Sequence, residues 1–166
     1  MFSEVVTARQ AVLILDMKDT EELAEAVRGG EIKVVQSKPA GDLFLVGDLV
    51  LLKLAKTIQS LGVDAAKAAR YSEAVLGQRL SAHHENPIDW IENETHELFC
   101  LVADNQLARI FLRNKEDSRE VDVGAIKPVL LPTTKCEINV FRVIRPVIYR
   151  ARQVLSRKGP AGKAAP

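Results

Sequence analysis

His83 and His84, followed by Asp89, Glu92, Glu94 and His96, are the residues whose types come nearest to a metal-binding set. A bound zinc ion needs three or four convergent ligands, and two adjacent histidines diverge in any regular element. No His pair stands at i, i+4, so the stretch reads as a solvated acidic linker. Glu92 and His96 could share one helical face as an acid–base pair, but no nucleophile, oxyanion loop or phosphate-cradling glycine turn accompanies them. Gly29-Gly30 is a helix stop, and Lys38-Pro39-Ala40-Gly41-Asp42 lacks the phosphate-loop pattern. The expectation is a protein that is not an enzyme and uses neither metal nor cofactor.

Charge and composition narrow the remaining classes. The 166 residues are 47% hydrophobic and 5% aromatic, so the chain folds around Leu, Val, Ile and Ala. Its net charge of +1 excludes a bulk attraction to nucleic acid, yet that sum conceals an uneven distribution. Residues 1–82 carry 10 basic and 11 acidic side chains, 83–138 carry 6 and 11, and 139–166 carry 7 and none. Cys100 and Cys136 lie in apolar surroundings without metal-ligand spacing and read as buried hydrophobes. No Arg- or Lys-led apolar leader opens the chain, and no run reaches the ~18 apolar residues of a membrane span. A cytoplasmic protein is expected.

The elements that must position any site can be read in order. Thr7 caps a short helix over the apolar run to Leu15. Asp19 or Thr20 caps a second, Glu21 to Val27, with Glu21 and Glu22 at its positive end and Gly29-Gly30 as its stop. Residues 31–46 alternate around the turn-forming run 37–42, which predicts a hairpin. From Gly47 to Ser60, Leu49, Leu52, Ala55 and Ile58 recur on one helical face, continued by Leu61. Asp64 caps a helix from Ala65 to Leu76, with Gly77 expected to end it. After a linker at 81–96, with a turn of helix around Trp90, Leu98–Ala103 and Leu107–Leu112 flank Asp104-Asn105 as a hairpin. Short strands follow at Glu120–Val123 and Val129–Leu131.

The stretch from Glu137 to Leu155 is amphipathic, with Phe141, Ile144, Val147, Ile148, Ala151, Val154 and Leu155 on one arc. Arg142, Arg145, Tyr149 and Arg152 line the adjoining one. Pro146 either opens this helix or kinks it. The apolar arc is expected to cover the sheet; a coiled coil is the competitor, opposed by Pro146 and by a length under three heptads. The arginines are a solvated edge, a nucleic-acid contact, or partners for the acidic middle within the chain or across a dimer.

The run Phe44-x-x-x-Asp48-Leu49-x-x-Leu52-x-x-Ala55-x-x-Ile58-x-x-Leu61-Gly62-Val63-Asp64 resembles the third helix and following turn of MerR-type regulators. The order of elements over residues 5 to 78 is similar too: two short helices, a hairpin wing, then two longer helices. The resemblance implies a winged helix-turn-helix DNA-binding domain. It places Arg9 and Arg28 as base or backbone contacts and Lys33, Gln36, Ser37 and Lys38 on the wing. The segment at the reading position, however, holds Asp19, Glu21, Glu22 and Glu25, and the family's Thr-Leu-Arg followed by aromatics is absent. Carboxylates there repel phosphate.

The expected architecture is therefore α+β: a MerR-like domain at 1–80, the linker at 81–96, and a small antiparallel sheet packed by a C-terminal helix at 97–158, acting as an effector or dimerisation module. A flexible tail at 159–166 ends the chain. Two functions fit. One is a dimeric transcriptional regulator bound to double-stranded DNA; the other is a protein-interaction module on the same scaffold that no longer binds DNA. Neither involves a membrane.

Overall fold

Thr7 begins the first helix as its sequence requires: its hydroxyl accepts from the Gln10 amide while the Gln10 side chain accepts from the Thr7 amide. The structure, a computed structural model, describes residues 1–38, 41–82, 95–123 and 132–157. The expected turn around Trp90, the strand at 129–131, most of the His/Asp/Glu cluster and the tail lie outside these residues.

The described elements are β1 (Val5–Thr7), α1 (Ala8–Leu15), α2 (Thr20–Arg28), β2 (Gln36–Lys38), β3 (Gly41–Leu45), α3 (Val46–Gln59), α4 (Ala65–Ala82), β4 (His96–Ala103), β5 (Gln106–Asn114), β6 (Glu120–Asp122), β7 (Lys135–Asn139) and α5 (Val140–Ser156). They form an α+β fold with two antiparallel sheets, ordered β1-β3-β2 and β6-β5-β4-β7. None of the described helices is long and apolar enough to cross a membrane.

A hairpin forms within 31–46 as β2 and β3, but its first strand is Gln36–Lys38 rather than the stretch with Ile32 and Val34, and Ser37, Lys38, Gly41 and Asp42 of the expected turn are paired residues; β1, which periodicity did not announce, adds a third strand through Val6 opposite Phe44. Val6 and Phe44 are both buried, so three residues suffice for a strand that a helix immediately follows. Helix α4 runs through Gly77 rather than ending there. A lone glycine costs a helix interior about 1 kcal/mol, which the burial of Val75, Leu76 and Leu80 offsets. The helix expected to start at Glu137 begins at Val140, because 137–139 are the end of β7, and Asn139 caps it through Oδ1 and the Arg142 amide. Pro146 lies inside α5.

Helix α3 is apolar on more than its predicted face. Val46 and Val50 are buried along with Leu49, Leu52, Leu54, Ala55 and Ile58, because α3 packs against α4 and α1 and also against α5. Helix α5 in turn lies on α1 and β4. Phe141, Ile144, Val147, Ile148 and Ala151 thus join one hydrophobic core that includes residues of the helices and of the four-stranded sheet. The Arg150 guanidinium ties the same junction, bonding the Ile14 carbonyl and the Asp16 carboxylate.

The β4–β5 tip adds a second junction. Asp104 and Asn105 turn through positive φ, and Asn105 Oδ1 lies against Gly62, where a Cβ would sit 3.1 Å away. The Asp104 carboxylate accepts from the amides and hydroxyls of Thr133 and Thr134, which lowers its pKa to about 2. A carboxyl depressed on folding contributes stability above its unfolded pKa and loses that contribution as pH falls towards about 2. Urea midpoints measured between neutral pH and pH 2 should therefore fall in acid, and Asp104→Asn should flatten that slope. An unchanged slope would remove Asp104 from the acid transition.

Candidate interaction surface

Helix α2 is built so that one side is anchored and the other is charged. Asp19 Oδ1 accepts from the amides of Glu21 and Glu22 at 3.0 and 3.1 Å, satisfying the first turn. Leu23 and Ala26 are buried and hold the helix to the core. Opposite them, Glu21, Glu22, Glu25 and Arg28 are exposed, with Ala24 half-buried between them. The two leading glutamates favour the positive end of the helix dipole, a local reason for carboxylates here. The Glu22 carboxylate also accepts from the Lys18 amide at 3.2 Å.

Of the cations expected to touch DNA, Arg28 is bound within this row. Arg28 Nη2 donates to Glu21 Oε1 at 2.6 Å, and that bond raises the guanidinium pKa. This exposed pair offsets one carboxylate of the row and leaves Glu22 and Glu25 in excess. Arg9 stands exposed near the start of α1, and Lys33 is exposed beyond the Gly29-Gly30 turn, close enough to Asp48 to lower that carboxyl's pKa. Asp48 is nonetheless raised overall, first by its burial and then by Glu73. Gln36, Ser37 and Lys38 form β2, the edge strand of the first sheet, and their side chains lie outside the described set. The fold thus joins Arg28 to the acidic row of α2.

A second charged surface went unnoticed in the sequence. The register places Phe99, Leu101, Arg109, Phe111, Arg113, Glu120, Asp122 and Glu137 on one face of the second sheet, with Leu98, Cys100, Ile110 and Ile138 on the other. Phe99 and Phe111 stack with centroids 5.4 Å apart, and Arg109 and Arg113 each lie 4.4 Å over a ring. Arg109 reaches Asp122 and Glu120, while Arg113 reaches Glu120 and Glu137. Those bonds lower the Glu120 carboxyl and raise both guanidinium pKa values. Two phenylalanines opposite the core are sealed by arginines, whose carboxylate partners all come from the same sheet. The signal was the unbroken apolar run Leu98–Ala103, which requires cover on both faces, with Arg109-x-Phe111-x-Arg113 alternating beside it.

No protein-family model matches this chain, and no curated protein sequence matches it. Its own geometry must carry any functional reading. The acidic middle is paired at Glu120, Asp122 and Glu137 by its own arginines, and Arg150 pairs with Asp16 of the N-terminal half. Cys100 is buried, and burial pushes its thiol up to about 12, which makes it a poor nucleophile.

Proposed function

We propose that the chain is a cytoplasmic protein-docking module on a winged helix-turn-helix scaffold, with α2 as its contact helix. The scaffold reading draws on the order of elements: α1 and α2 are joined by a four-residue turn, α1 packs on both α2 and α3, and the β2–β3 hairpin follows α2. One observation carries the docking reading. Helix α2 exposes Glu21, Glu22 and Glu25, and its arginine is bonded to Glu21. Such a row repels phosphate and attracts a cationic protein surface.

Titration of isotope-labelled protein with a Lys/Arg-rich helical peptide tests this. The expected result is saturable amide shifts along α2 that disappear when Glu21, Glu22 and Glu25 are all changed to Gln. An unperturbed α2, or shifts that survive those changes, would overturn the reading.

The exposure of Arg9 and Lys33 favours a second reading, a dimeric DNA-binding transcriptional regulator. In it, Arg9, Arg28, Lys33, Gln36, Ser37 and Lys38 would contact duplex DNA, with the wing in the leading role.

A further inference from the structure

Two helices carry complementary rows that the chain does not join. On α2, Glu21, Ala24, Glu25 and Arg28 follow at i, i+3, i+4 and i+7, with Glu22 beside them. On α5, Arg142, Arg145, Tyr149 and Arg152 follow at i, i+3, i+7 and i+10. Arg142 and Arg152 are exposed and Arg145 and Tyr149 half-buried, with the apolar arc of α5 turned into the core. Arg28 is held by Glu21 and Arg150 by Asp16, and among the described residues no ion pair joins α2 to α5. From Asn139 onwards the sequence contains no carboxylate side chain to neutralise the arginines locally.

We propose that a second copy of this chain lays its α5 row along α2, and that the two-fold partner contact places the first copy's α5 on the second copy's α2. Possession of both an acidic and a basic row lets one chain close such an exchange, since residue i meets j and j meets i. Ala24 leaves a low point in the acidic row for the Tyr149 ring, and Tyr with Arg is the composition that dominates interface energetics. Exposed ion pairs are individually weak, so the contact depends on several at once and weakens with salt.

This proposal rests on the docking reading of α2 and names its partner. The test is sedimentation equilibrium of the full chain. A dimer is expected at low salt, dissociating as salt rises. Glu21→Lys with Glu25→Lys, or separately Arg142→Glu with Arg152→Glu, should weaken self-association about ten- to a hundredfold. The four-residue charge swap should restore it, which excludes misfolding as the cause of the losses. A wild-type monomer at low salt, or a dimer indifferent to both pairs of changes, would overturn the proposal. If the peptide titration still shifts α2 in that case, the docking reading survives and the second copy alone is removed as its partner.

Discussion

Phe141→Ala should cost about 3–5 kcal/mol, the range for removing a fully buried aromatic side chain. Phe141 is 1% exposed in the first turn of α5, the helix that packs on α1, α3 and β4. The truncation therefore opens a cavity where helices and sheet meet, and no single element can close it by shifting alone. Urea unfolding followed by far-ultraviolet circular dichroism should show one transition, moved to lower denaturant, because the core is shared. A transition of unchanged midpoint, or loss of one half while the other stays folded, would contradict the role given to α5.

Phe111→Ala should cost about 3 kcal/mol, although the side chain lies on the face of the sheet turned from the core. Phe111 is 1% exposed, stacks on Phe99 and supports Arg109 at 4.4 Å and Arg113 at 5.3 Å. Its removal takes away a ring, an aromatic contact and the platform on which two ion-paired guanidiniums rest. A double-mutant cycle with Arg109→Met should return a coupling of about 0.5 kcal/mol. Phe111→Leu, which keeps most of the apolar volume, should recover much of the loss. A midpoint shift no larger than that of a surface substitution would mean that the arginine cover does not bury the ring energetically.

Local signals in the chain predicted most of the fold, and long-range packing supplied what they could not. Thr7, Asp19 and Asp64 identified helix starts because a side-chain oxygen must meet orphan amides. Asp104-Asn105 marked the hairpin because those residues tolerate positive φ. Val50 lay off the predicted stripe of α3, yet it is buried, and α3 also packs on α5, which arrives some ninety residues later in the chain. Strand β1 is too short for a period to be read, and Gly77 looked like a stop because packing on α4 was invisible.

The candidate surface was legible in part. Its acidity was plain from Glu21, Glu22 and Glu25, but spacing alone could not show that Arg28 turns back to Glu21 rather than outward. The expectation that the tail's arginines could meet the acidic middle overlooked Arg109 and Arg113, whose alternation with Phe111 already placed cations beside Glu120 and Glu137.

Electrophoretic retardation of a random duplex at low salt tests the central claim most directly. With α2 carrying exposed carboxylates, the protein should leave the duplex unshifted, and Lys33→Glu should change nothing. A shift that appears at low salt, fades steeply as salt rises and vanishes in the Lys33→Glu, Lys38→Glu variant would contradict the docking account and restore the wing as a DNA contact.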